Sequence, residues 1–145
     1  MDLSLVVAGE AGDGSAVSAM PVLRDAQTKG LAAIAAESRA LVQRTLAGEL
    51  SAEDSLGGTF AVCNLGAFGV RQFTGILTPP QACLLSLGAA EQTVAPAEGS
   101  DAGYKITTVM SATLTCDHRV IDGAVGASWV QAFKKLVENP VTMLM

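Results

Sequence analysis

Histidine is almost missing from this sequence: His118 is the single one in 145 residues. Cysteine is sparse too, with Cys63, Cys83 and Cys116 far apart and none in a CxxC unit. A zinc site is therefore not expected, nor any other metal. The odd cysteine count argues against a disulfide framework and for a reducing compartment. Charged residues make up only 16% of the chain, and the nine Lys and Arg are scattered under a net charge of −5. That excludes the basic stripe a nucleic-acid partner would need. No apolar run reaches the roughly 20 residues of a membrane span, and no signal peptide is visible, so no membrane partner is expected. Repeats, low-complexity stretches and linkers are lacking as well.

Apolar residues are abundant, at 50% of the chain. That is enough for a core and excludes disorder. The surplus predicts buried subunit contacts, although a parallel sheet would also read as apolar.

Leu3 to Ala8 reads as a strand that opens almost at the first residue, which suggests that something upstream is missing. Gly9 to Ser18 reads as a loop and Met20 to Leu23 as a second short strand. Leu31 to Leu46 is the clearest helix, with Leu31, Ile34, Ala35, Leu41, Val42 and Leu46 on one stripe and Gly48 as its expected C-terminal cap. Ser51 to Asp54 has the S-x-x-D form that opens a helical turn. Thr59 to Cys63 is a strand, Asn64 to Gly69 a turn, Pro79-Pro80 a break, and Ala82 to Leu87 an apolar strand. Ala89 to Gly103 reads as a polar connection. Tyr104 to Cys116 alternates strictly, as a long strand does. Ala124 to Glu138 is a helix with Val125, Trp129, Phe133 and Leu136 on one stripe, ended by Pro140. Cys83 and Cys116 fall within strand patterns and read as core. The order of elements makes the chain α/β or α+β.

Asp117-His118-Arg119-Val120-Ile121-Asp122-Gly123 joins the long strand directly to the last helix. A strand end fixes the place of the side chains that follow it. Histidine is the side chain whose ordinary pKa lies near neutrality. On chemistry alone two readings stand. His118 is a catalytic base, or it is structural and Asp117, Arg119 and Asp122 form ion pairs beside it.

This segment resembles the D-H-R-x-x-D-G signature of the E2 acyltransferases of the 2-oxo acid dehydrogenase complexes. That signature is itself similar to the catalytic region of chloramphenicol acetyltransferase. Gly57-Gly58-Thr59-Phe60, Cys63-Asn64-Leu65-Gly66, Phe68-Gly69, Pro79-Pro80-Gln81-Ala82 and Glu138-Asn139-Pro140 resemble the family in the same order and at suitable spacing. Gly123-Ala124-Val125-Gly126-Ala127 resembles the pyruvate branch more than the 2-oxoglutarate branch. The resemblance runs from Asp2 to Met145.

The resemblance implies an α/β (α+β) fold of the chloramphenicol-acetyltransferase type: a two-layer sandwich, a mixed sheet with helices. Residues 1–145 would be one partial core domain, its N-terminal part absent, with no lipoyl domain and no peripheral subunit-binding domain. It implies acetyl transfer between dihydrolipoamide and coenzyme A, the lipoyl group being supplied by another domain or chain. His118 would take the thiol proton, and Asp122 would fix the site around it. Cys63 would hold the oxyanion position, where the family has serine. A thiol is a weaker donor than a hydroxyl, so turnover is expected to be slow. The alternative reading of Cys63 is a small buried residue at a strand end. Asn64 and Gly66 would lie near the coenzyme A channel. An acidic chain does not steer an anionic substrate, so local groups must hold that cofactor.

The resemblance further implies homotrimers with active sites at subunit boundaries, joined into cores of 24 or 60 subunits, with the E1 and E3 components as partners. Val141, Met143, Leu144 and Met145 would form a hydrophobic hook into an adjacent trimer; the alternative is packing against their own domain. The compartment implied is the mitochondrial matrix, with a bacterial cytoplasm or a plastid as alternatives. Two other functional readings stand: a short E2-like scaffold subunit with little or no activity, and a free-standing acyltransferase of the chloramphenicol type.

Overall fold

The computed structural model of the chain describes residues 1–10, 14–96 and 103–143. Its strands are β1 (Leu3–Glu10), β2 (Ala16–Ala19), β3 (Val22–Leu23), β4 (Phe60–Asn64), β5 (Cys83–Pro96) and β6 (Tyr104–Cys116), and its helices α1 (Leu31–Leu46) and α2 (Gly123–Glu138). They form one mixed sheet in the order β2-β1-β4-β5-β6, with β3 also paired to β1. β4 runs parallel to β1 and to β5, while β5 and β6 are antiparallel, as are β1 and β2.

Strand alternation divides the core in two. Phe60, Cys83 and Leu85 are buried on one face, where Leu114, Cys116, Ile121 and Phe133 pack against them. Ala61, Cys63 and Leu84 are buried on the other, under Phe73 and Leu77 of the connection between β4 and β5. Both helices lie on the Phe60 face. Trp129 of α2 packs on Phe60 with ring centroids 5.3 Å apart, and stacks on Phe133 at 5.6 Å. α1 reaches the same face: Gly9 shares the strand parity of Leu3, and a Cβ there would sit 2.9 Å from Leu46. This is the two-layer sandwich expected.

Helix α1 has the expected bounds, and its end follows the Schellman pattern. Gly48 takes φ 71°, its N–H reaches the Thr45 carbonyl, and the Glu49 N–H reaches that of Arg44. Ser51 and Asp54 exchange hydrogen bonds as the S-x-x-D pattern requires. At the entry to β4, Gly58 lies so close over Ser4 that a Cβ would fall 1.7 Å from Ser4 Oγ.

Two expectations are corrected. The loop expected over Gly9 to Ser18 is replaced at both ends by strand, because β1 continues to Glu10 and β2 begins at Ala16; residues 11–13 lie outside the described residues. Small side chains weaken a strand signal without preventing the pairing. The second strand is correspondingly reduced to Val22–Leu23. The polar connection expected over Ala89 to Gly103 is strand as far as Pro96, paired with Tyr104 to Met110 beyond a bulge at Leu87/Ala90. β4 ends opposite Leu87, so this stretch is a two-stranded ribbon. On the β5 side its sequence, Ala-Ala-Glu-Gln-Thr-Val-Ala-Pro over residues 89–96, carries no strict apolar alternation to read.

Candidate active site

β6 ends at Cys116, and the turn that follows is tied down at its root. The Asp117 N–H donates to the Ala82 carbonyl, while the Val120 and Ile121 N–H groups donate to the Asp117 carbonyl. Arg119 donates to the Asp117 carboxylate through Nε at 3.0 Å and Nη2 at 2.6 Å. Its backbone N–H donates there as well. These bonds hold the Asp117 carboxyl down at about 2. The ion pair of the structural reading is therefore real for Asp117 and Arg119. Its role in clamping the turn was not visible in the sequence.

His118 sits at the top of that turn, exposed, and its imidazole has no hydrogen-bond partner among the described residues. It borders a cleft of about 650 Å³ shared with Cys116, Ile121, Asp122, Gly126 and Lys134. Asp122 does not pair with Arg119. It caps α2: in an extended conformation, its Oδ1 accepts the Val125 N–H at 2.8 Å.

Cys63 is 7% exposed. Burial pushes its thiol pKa up, so near neutrality it remains a protonated S–H, which can donate but is not a nucleophile. Cys63 belongs to the Ala61–Leu84 face, whereas the His118 cleft opens on the Cys116 face. Within one chain the sheet separates them. Asn64 and Gly66 shape the turn after β4: Asn64 Oδ1 accepts the Gly66 N–H at 2.9 Å, and a Cβ on Gly66 would lie 3.0 Å from the Gly88 carbonyl oxygen. Cys83 is buried with its Sγ 3.6 Å from that of Cys116, and its pKa is pushed up to about 11.

Val141 and Met143 lie in a short 3-10 turn, 67% and 47% exposed. Leu144 and Met145 lie outside the described residues. Val125 of α2 and Val94 and Ile106 of the ribbon are exposed as well.

The model of the 2-oxoacid dehydrogenase acyltransferase catalytic domain matches residues 3–145. The chain belongs to that family. It is 50% identical over 127 residues to a mitochondrial dihydrolipoyllysine-residue acetyltransferase component of the pyruvate dehydrogenase complex from Arabidopsis thaliana; the match takes in 87% of this chain and 23% of that protein. Among solved structures, it superposes with TM-score 0.82 and 26% identity on a dihydrolipoamide acetyltransferase from Azotobacter vinelandii, covering 100% of this chain and 56% of that one. That enzyme was studied for the roles of a serine, a histidine and an asparagine in catalysis, the last two spaced as His118 and Asp122 are. The cubic core of a pyruvate dehydrogenase multienzyme complex gives the same score at 25% identity, again covering 100% of this chain and 56% of that one. The chain thus spans about a quarter of its full-length relative and just over half of the solved cores.

Proposed function

We propose that the chain is the C-terminal part of an acetyltransferase core of the pyruvate dehydrogenase type, moving an acetyl group between dihydrolipoamide and coenzyme A. The observation that carries this is His118: one imidazole, at the end of a clamped strand, without a hydrogen-bond partner among the described residues and open to a cleft. It takes the proton from the acceptor thiol. The thiolate attacks the acyl thioester carbon, and the carbonyl oxygen becomes an oxyanion. Collapse expels the donor thiolate, which recovers the proton from the imidazolium. Histidine suits this task because a thiol, with an ordinary pKa near 8.5, lies within about two units of it.

Cys63 offers its S–H to the oxyanion. Asp122 keeps the helix entry beside His118 in place. Asn64 and Gly66 shape the turn at the mouth of the coenzyme A channel, and the lipoyl group comes from another domain or chain. Because His118 and Cys63 lie on opposite faces of the sheet, each site is built by two subunits. The exposed apolar residues of α2 and of the ribbon are the surfaces that meet in a homotrimer. Val141 to Met145 joins trimers into a larger core that recruits E1 and E3. A mitochondrial matrix agrees with the plant relative, and a bacterial cytoplasm with the Azotobacter one.

The test is transfer of acetyl from acetyl-CoA to dihydrolipoamide by the full-length protein, with and without His118→Ala. Loss of a general base lowers kcat by about 10²–10⁴-fold. An unchanged rate removes His118 from the mechanism, and a wild type that transfers no acetyl group leaves only the scaffold reading.

A further inference from the structure

The Ser86 hydroxyl, on a residue 2% exposed, has no hydrogen-bond partner among the described residues. Strand β5 places it directly beside Cys63 of β4 and across from Thr113 of β6, all three on the face away from the helices. The connection between β4 and β5 seals it in: a Cβ built on Gly75 would stand 3.4 Å from Ser86 Oγ and only 2.1 Å from Leu84 Cδ2. Gly75 therefore crosses as bare backbone, and it closes Ser86 off from solvent. Such a hydroxyl destabilises the fold relative to alanine, because desolvation is not offset by a bond. A group of this kind points to a role other than stability.

One of its two cross-strand neighbours is the thiol that the acyltransferase reading places at the oxyanion. Adjacent strands stand about 4.8 Å apart, so a turn of the Ser86 side chain brings its O–H within reach of Cys63 Sγ. Sulfur is a weak acceptor that becomes a better one when its own proton is drawn toward an anion.

We propose that Ser86 is a positioning residue for acyl transfer, donating its hydroxyl proton to Cys63 Sγ as the tetrahedral intermediate forms and aiming the Cys63 S–H at the oxyanion. This rests on the acetyltransferase reading. It adds a hydroxyl on the adjacent strand β5, where the family's serine is replaced by the weaker thiol. The chain of donors runs Ser86 O–H to Cys63 S–H to oxyanion, and no bond other than hydrogen bonds is made or broken in it.

The test is a double-mutant cycle with Ser86→Ala and Cys63→Ala in the full-length protein, reading kcat, KM and thermal midpoint. In the wild-type background, Ser86→Ala lowers kcat roughly three- to tenfold, leaves KM unchanged, and raises the midpoint by a few degrees. In the Cys63→Ala background the same substitution still raises the midpoint but no longer lowers kcat. A residue that only packed would not move stability and turnover in opposite directions. An active wild type whose kcat ignores Ser86→Ala overturns the proposal. So does an equal kcat loss in both backgrounds. A wild type that transfers no acetyl group at all overturns the acetyltransferase reading beneath it.

Discussion

Asp122 is where the chemistry of the site and the stability of the fold are most easily confused, and two substitutions separate them. Its Oδ1 accepts the Val125 N–H at 2.8 Å, at the start of a helix that has no buried residue of its own. Asp122→Ala removes the cap, worth about 1 kcal/mol, together with a negative charge at a helix N-terminus, worth about 0.3–1 kcal/mol. The loss of roughly 1–2 kcal/mol lowers the thermal midpoint by about 3–8 °C in a domain of this size. Because α2 begins next to the His118 turn, fraying there also displaces the imidazole, and kcat falls. Asp122→Asn caps as well as Asp and loses only the charge. It should therefore keep the midpoint within about 2–4 °C and kcat within about threefold. Thermal unfolding and the acetyl-transfer assay are read on the same preparations. If Asp122→Asn is as inactive as Asp122→Ala while its midpoint stays near wild type, the carboxylate charge acts on the reaction directly and the capping argument is wrong.

Other expectations can be checked separately. Cys63→Ser replaces a thiol donor by a hydroxyl and should raise kcat about tenfold or more, within the 10²–10³ that one oxyanion donor is worth; no rise removes Cys63 from the mechanism. Asp117 is held at about 2 against an ordinary 3.8, so its contribution to stability is present above about pH 4 and disappears as pH falls toward 2. Arg119→Ala should return the Asp117 carboxyl toward its ordinary value in an NMR titration, and a wild-type carboxyl already titrating near 3.8 would contradict the clamp. Deleting residues 141–145 should reduce the particle to trimers by light scattering; an unchanged particle size rules out the hook.

Where an element buries one face or one stripe, its pattern was readable. Leu31–Leu46 and Tyr104–Cys116 stand within the bounds their periodicity predicts, because their apolar spacing matches the geometry of a packed helix and a paired strand. The outer half of β5 was not readable, since Ala90 to Pro96 pairs with β6 but lacks a regular apolar alternation of its own. Sheet order was also hidden. β4 sits between β1 and β5 through parallel pairings, which no local pattern reports. At the site, the D-H-R-x-x-D-G segment marked His118 and Asp122, but not their different conditions: one without a hydrogen-bond partner among the described residues, the other a helix cap. Ser86 is hidden inside the apolar run Ala82 to Leu87. Its hydroxyl among Leu84, Leu85 and Leu87 was the available signal, and only the register beside Cys63 gives it meaning.

The separation of His118 and Cys63 by the sheet has a consequence that mixing can measure. Suppose particles are reassembled from equal amounts of His118→Ala and Cys63→Ala subunits. If each site lay within one chain, every site would carry one lesion, and activity would be the average of the two variants. If the imidazole comes from one subunit and the thiol from its neighbour, random assembly gives about a quarter of the sites both intact groups. Activity should then rise above that average by nearly a quarter of the wild-type rate, the more so the weaker Cys63→Ala is alone. Mixing without dissociation serves as the baseline, since it permits no new boundaries. A reassembled mixture no more active than its baseline would place both groups in one chain's site, and the opposite-face argument would fail with it.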